Sequence, residues 1–461
     1  MVRSFNPYEY IGRHDVEVIK QINVTATERL HNVVNHVRSF LRDEYSHAFA
    51  LSVIDPASRA ELQTVIADHI TQKRSLHIPG VELESMIKTV QQEILYFGPI
   101  QKALDDPEIT NIDINNPRDV YIERKGEEEY RPDLGFKDEN HLYNVINKML
   151  IPLGKTLTAN EPHIDSLFEN YRICAVLKAE RGGIATESTC ISIRKFSEDT
   201  ISPEQLIKYG TISEEMDEFF KDAIPCANII IAGATNSGKT TTLVSFPLYF
   251  HENTRIITIE DSPEMMLRRK NSYRNYRNIV ALQTKHHENH EKRYDLAKLT
   301  KVSLRMRPWK IIVGEVRDSN AARQTHEAMN TGHNCYVTLH ASSGRNAATR
   351  IVQLAGDGYN DEAIAAQLAD TVDLIIFQQK IRKSRIITEV LELVGYEGAK
   401  HPICNTLFEF RQTGIGTDGF AEGHHYRVGR ISDELAGKMR INMVPTERVV
   451  KWQGFPAEEG G

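Results

Sequence analysis

The segment Gly233-Ala234-Thr235-Asn236-Ser237-Gly238-Lys239-Thr240 matches in full the G-x-x-x-x-G-K-[ST] pattern of a phosphate-binding loop. Its context also fits, because the apolar run Ile229-Ile230-Ile231-Ala232 precedes it as a strand and Thr241–Phe246 follows as a helix-compatible stretch. Glycines let successive backbone N–H groups curl around phosphate oxygens, and the helix N-terminus adds a favourable dipole. Gly233, Thr235, Asn236, Ser237, Gly238, Lys239, Thr240 and Thr241 are therefore the expected nucleotide-binding residues. Lys239 would neutralise charge on the β- and γ-phosphates of ATP, and the Thr240 hydroxyl would hold Mg²⁺.

A nucleoside triphosphatase also needs an acid at the end of a neighbouring strand, near the metal and the attacking water. Lys310-Ile311-Ile312-Val313-Gly314-Glu315 supplies one such end, and Ile256-Ile257-Thr258-Ile259-Glu260-Asp261 supplies a second. A carboxylate placed there can orient a water or reach the metal's hydration shell. Glu315 and Glu260 are therefore the two candidate acids for those tasks.

Outward from this core, apolar strands alternate with longer helical runs from 206 to 395. The strands are Ile229–Ala232, Ile256–Ile259, Ile311–Val313, Tyr336–Thr338 and Leu374–Gln378, a rhythm that predicts a mostly parallel, helix-covered sheet. Residues 81–205 read as a smaller α/β domain. Its strands are Ile109–Ile114, Val120–Arg124, Tyr171–Leu177 and Cys190–Arg194, with a helix around His141–Leu150. Residues 1–80 read as a helical N-terminal region. Val16, Ile19 and Ile22, then Leu30, Val33, Val34, Val37 and Leu41, recur at helical spacing, with Thr25 and Thr27 where an N-cap would fall. Residues 396–461 read as a small β-rich appendage.

The 461 residues carry a net charge of -7, which argues against a generally basic, nucleic-acid-coating protein. The five cysteines form no C-x-x-C pair and read as reduced thiols. No apolar run approaches the roughly 18–20 residues that span a bilayer, and Met1-Val2-Arg3-Ser4-Phe5 does not open an apolar leader. The chain is thus expected in the cytoplasm, peripheral to any membrane and held there by partners. Between Arg268 and Lys310 stand thirteen Lys/Arg and three Asp/Glu, interleaved with Tyr273 and Tyr276. That segment could meet single-stranded nucleic acid by phosphate pairing and stacking, although a solvated or subunit-facing role is the favoured reading.

These blocks together resemble the type II/type IV secretion ATPase family, in particular its branch of CpaF-like pilus-assembly and conjugation ATPases. Beyond the phosphate loop, the matching text is Thr258-Ile259-Glu260-Asp261 and Leu304-Arg305-Met306-Arg307-Pro308, the latter leading into Ile312-Val313-Gly314-Glu315-Val316-Arg317. It continues in Ala328-Met329-Asn330-Thr331-Gly332-His333 and Thr338-Leu339-His340-Ala341. The resemblance implies a RecA-like ATPase domain behind a smaller α/β domain, assembling into a homo-hexamer that docks on inner-membrane platform proteins. It implies that His333 and His340 sense the γ-phosphate, and that Arg172 and Arg194 reach it from the preceding domain. The activity implied is ATP hydrolysis that powers pilus assembly, type IV secretion or conjugative transfer. A DNA helicase or translocase and a low-turnover nucleotide-binding scaffold are the alternatives. The chain departs from the family pattern at Asn236 (usually Gly), Trp309 (commonly Asp) and Ser343 (commonly Asn).

Overall fold

The structure is a computed structural model that describes residues 13–53, 55–124, 126–285, 287, 289, 292–356 and 360–456, with side chains from residue 28 onward. It divides into two compact units, 1–196 and 197–461. Met1–Phe5 lie outside the described residues, as do the side chains of Val16, Ile19, Ile22, Thr25 and Thr27. The backbone is helical from Arg13 to Glu44, so Thr25 and Thr27 fall inside one continuous helix and do not cap a second.

In the first unit, helices Arg13–Glu44, Pro56–Gln72 and Leu83–Leu95 form a bundle. Its core is built from i, i+4 rows: Val33, Val37 and Leu41; Leu62, Ile66 and Ile70; Met86, Val90 and Ile94. Asp55 starts the second helix by accepting from the N–H groups of Ala57 and Ser58, with Pro56 in the first turn. The bundle runs on through Leu95, past the boundary expected at residue 80, because the apolar face of the third helix belongs to it.

The rest of this unit is an antiparallel sheet of β1 (Ile109–Ile114), β2 (Val120–Arg124), β3 (Glu127–Tyr130), β4 (His163–Phe168), β5 (Tyr171–Val176) and β6 (Cys190–Lys195). The order is β3-β2-β1-β6-β5-β4 among the described residues. Helix Glu139–Leu150, capped by Asp138, lays Leu142, Ile146 and Met149 on the sheet's apolar face. β3 and β4 escape a reading by pattern: Glu127-Glu128-Glu129-Tyr130 offers no apolar alternation, since it lies at a sheet edge.

The second unit is organised by β7 (Ile229–Gly233), β8 (Ile256–Glu260), β9 (Ile279–Gln283), β10 (Lys310–Val313), β11 (Asn334–His340), β12 (Leu374–Ile381), β13 (Ser384–Glu397), β14 (His401–Ile415) and β15 (Ala421–Arg427). Among the described residues they form one sheet, β15-β14-β13-β12-β7-β11-β10-β8-β9. The run β12-β7-β11-β10-β8-β9 is parallel, and β13 to β15 continue it as an antiparallel meander. With the phosphate loop after its first strand, that parallel order is RecA-like.

Helices cover both faces, which is why β7, β8 and β10 read as continuous apolar runs. Ile229, Ile231, Tyr336 and Ile376 face one core, while Ile230, Ala232, Val337 and Ile375 face the other. Residues 396–461 do not stand apart as the appendage the sequence suggests. β14 and β15 extend the same sheet, and helices Asp433–Ile441 and Thr446–Gln453 bury Leu435, Met439, Val449 and Trp452 in the core that also holds Phe219 and Phe408. No helix among the described residues is long and apolar enough to cross a membrane.

Candidate nucleotide site

The loop leaves the end of β7 and enters helix Lys239–Ser245. Two residues turn through the left-handed region, Asn236 at φ 60° and Gly238 at φ 97°. Gly238 is favoured by its φ, and a Cβ there would also crowd Gln378 Nε2 at 2.9 Å and Arg385 Cδ at 3.1 Å. Asn tolerates positive φ better than other side chains, so the usual Gly can be replaced at 236. Ala234, Thr235, Asn236 and Thr241 are exposed, Thr240 is half-buried, and Ser237 is buried with its Oγ unpartnered. An exposed rim over an unsatisfied buried hydroxyl suits a ligand rich in acceptor oxygens. The residues present fit a nucleotide phosphate, and Thr240 at the first turn of the helix fits its Mg²⁺.

Lys239 is buried, and its Nζ donates to Gly233 O at 3.1 Å and Ala234 O at 2.7 Å. It also lies 3.3 Å from His340 Nδ1. Burial pulls its ammonium below the usual lysine range, and the Glu315 charge acts in the opposite direction. His340 closes β11 in register with Gly233, so the parallel pairing places it beside the loop. Its Nε2 lies 3.0 Å from Glu315 Oε1, and Arg317 donates to the other carboxylate oxygen at 2.6 Å. An ammonium can only donate, so His340 Nδ1 accepts and the ring hydrogen is on Nε2, directed at Glu315. The result is a continuous line, Lys239–His340–Glu315–Arg317, along the ends of β7, β11 and β10.

Glu260 ends β8, the next strand out, and is buried. Its Oε1 accepts from the N–H groups of Glu264 at 3.0 Å and Met265 at 2.8 Å, holding the turn that follows the strand. Burial pushes its carboxyl up to about 7 against the pull of those two N–H groups. Gly314 makes room for it, because a Cβ there would sit 3.3 Å from Glu260 Cγ.

The structure does not bring His333 to this cluster. His333 precedes β11 while His340 ends it, so the two are separated by the length of the strand, roughly 20 Å at about 3.3 Å per residue. Its Nδ1 instead lies 3.1 Å from Thr331 Oγ1. Arg172 and Arg194 belong to the first unit, where they are cross-strand partners on β5 and β6. Arg172 forks onto Asp165 at 3.1 and 2.8 Å, and Arg194 lies 5.8 Å from the Phe196 ring.

Arg317 stands in the same sequence block as Glu315 and has no expected role there. Two further contributors carry no local signature: Gln378 and Arg385 arrive from strands distant in sequence. Gln378 accepts from Thr242 Oγ1 at 2.8 Å, and Arg385 Nε donates to Asn236 O at 3.3 Å. Tyr294 of the basic segment is exposed, but Tyr273 and Tyr276 are structural: Tyr273 is buried with its hydroxyl on Val244 O, and Tyr276 donates to Phe250 O at 3.1 Å. Neither presents a free ring for base stacking, while Arg268, Arg274 and Arg277 remain exposed.

A phosphate loop on a RecA-like sheet, with an acid at the end of a nearby parallel strand, defines a P-loop nucleotide-binding protein. The chain belongs to the type II/IV secretion system protein family, whose profile matches residues 94–415. An uncharacterized protein of Methanocaldococcus jannaschii, MJ0900, is 27% identical over 326 residues, 70% of this chain and 56% of that protein. The putative conjugal transfer protein MT3759 of Mycobacterium tuberculosis is 25% identical over 324 residues, covering 69% of this chain and 90% of its own. The X-ray structure of the Legionella pneumophila ATPase DotB is 19% identical, with a TM-score of 0.48, covering 75% of this chain and 82% of that one. The chain spans about half the length of two archaeal relatives it matches, 56% of one and 42% of the other.

Proposed function

We propose that this protein is an ATPase motor of a secretion, pilus-assembly or conjugation machine. The observation that supports the reading best is the line Lys239–His340–Glu315–Arg317, which sets a phosphate-neutralising cation and a water-orienting carboxylate on the two nitrogens of one imidazole.

In the reaction, water attacks the γ-phosphorus of ATP and the bond to the β–γ bridging oxygen breaks, giving ADP and phosphate. Lys239 exchanges the carbonyls of Gly233 and Ala234 for phosphate oxygens, and the backbone N–H groups of 235–240 cradle the β-phosphate. Thr240 would hold Mg²⁺, which would neutralise charge on the β- and γ-phosphates. A carboxylate offers about four acceptor sites, so Glu315 can keep both present partners and still accept a hydrogen from the attacking water. His340 fixes that carboxylate, and because it also faces Lys239 it registers the phosphate that draws the ammonium away. Glu260 holds the adjoining turn and would help position water or Mg²⁺. Platform proteins in the membrane hold a homo-hexameric ring of this protein at its cytoplasmic face.

The test is steady-state phosphate release by the wild-type protein and Glu315→Gln, with and without single-stranded DNA. Release that collapses in the variant and ignores DNA is expected. Strong stimulation by DNA would favour a translocase, and binding without turnover in either protein would favour a scaffold.

A further inference from the structure

The hairpin joining β12 to β13 reads Lys380-Ile381-Arg382-Lys383-Ser384-Arg385, four cations in six residues. Lys380 and Arg385 are direct cross-strand partners, so their side chains leave the same face of the sheet. That face carries the phosphate loop, because Arg385 Nε donates to Asn236 O and its Cδ packs against Gly238. Like charges directly opposite one another destabilise an antiparallel pair. Neither Lys380 nor Arg385 is in an ion pair among the described residues. The tip residue, Arg382, adopts φ 53°, the left-handed conformation that such turns usually give to Gly or Asn. Lys383 is turned elsewhere, packing along Gly419.

The sheet order orients a nucleotide in this loop. β11 and β10, with His340 and Glu315, lie on one side of β7, and β12 lies on the other. A terminal phosphate that reacts must point toward the carboxylate side. The remainder of the nucleotide then runs from the loop toward β12 and β13.

Resting on the nucleotide-site reading above, we infer that Lys380 and Arg385 together bind the α-phosphate of the nucleotide whose β-phosphate fills the loop. An anion between them removes the repulsion of the pair, and a guanidinium already positioned on the loop carbonyl loses little freedom on engaging it. The pair thereby distinguishes a nucleoside diphosphate or triphosphate from free phosphate, which the loop alone can hold.

The experiment is calorimetric titration of the full chain and of Arg385→Gln, Lys380→Gln and the double variant with two probes, ADP and inorganic phosphate. The expected result is a loss of about tenfold in ADP affinity in the double variant, larger than any loss of inorganic phosphate affinity, with Lys380→Gln lowering ADP affinity and leaving inorganic phosphate binding unchanged. Unchanged phosphate binding also reports an intact loop. Equal losses for both probes would overturn the proposal, since Arg385 would then only support Asn236, and so would ADP affinity that does not move. A wild-type chain that binds neither probe would overturn the nucleotide-site reading itself, a failure visible before any variant is compared.

Discussion

His340 Nε2 lies 3.0 Å from Glu315 Oε1, so a histidine whose other nitrogen faces Lys239 also holds the carboxylate that would orient water. Strand pairing imposes this relationship: β11 runs parallel between β7 and β10, and its last residue comes level with the start of the loop. Phosphate contact and water orientation are thereby linked through one side chain. His340→Ala should lower kcat for ATP by on the order of tenfold to a hundredfold while ADP affinity stays near that of the wild type. Loss of ADP affinity with kcat retained would show that His340 serves the loop and not the carboxylate.

The carboxyl of Glu260 titrates at about 7 in the fold, above its unbound value of 4.5. The native state therefore holds this proton more tightly than the unfolded chain. Its contribution to stability is complete below pH 4.5 and is lost as pH rises to about 7. Glu260→Gln cannot ionise, so its melting temperature should fall less than that of the wild type between pH 4.5 and 7. The gap would correspond to at most about 3 kcal/mol. Parallel melting profiles for the two proteins would contradict the assignment.

Asn236 is at φ 60° in the exposed arc of the loop. Asn236→Gly should keep ADP affinity within about twofold, because glycine adopts this conformation freely. Asn236→Val should weaken it by on the order of tenfold, since a β-branched residue at positive φ forces the loop's N–H groups out of line. Equal affinities for Gly and Val by titration would mean that the loop does not need this conformation to bind.

Trp452 is buried, with its Nε1 donating to Asp222 Oδ2 at 2.8 Å and its ring 5.3 Å from that of Phe219. Arg448 Nε shares the same carboxylate oxygen at 2.9 Å. Trp452→Ala should lower the stability of the second unit by about 3–5 kcal/mol, seen as an earlier denaturation midpoint for the nucleotide-binding core. An unchanged midpoint would mean that the C-terminal helices do fold apart from it.

What could be read from the sequence was whatever is local in the chain. The loop, its strand and the Glu315 strand end are each contiguous, so residue type and spacing suffice to find them. Contacts made by sheet order are not contiguous: Gln378 reaches Thr242 across 136 residues and Arg385 reaches Asn236 across 149. Neither residue type is unusual where it stands, so nothing nearby announces the contact. His333 shows the opposite case, because two histidines seven residues apart are set at the two ends of a strand when the residues between them extend. The tail misled for a related reason. Long strands that complete an existing sheet look, residue by residue, like the strands of an independent one, and only the burial of Leu435, Met439 and Trp452 against Phe219 and Phe408 joins them to the core.

The central claim is that Lys239 and Glu315 divide the work of one site, the first binding phosphate and the second acting on water. The most direct measurement pairs ATP affinity with single-turnover hydrolysis for Lys239→Ala and Glu315→Gln. The account predicts that Lys239→Ala loses affinity, whereas Glu315→Gln binds ATP as tightly as the wild type and does not cleave it. Hydrolysis by Glu315→Gln at the wild-type rate, or ATP bound equally well without Lys239, would contradict it.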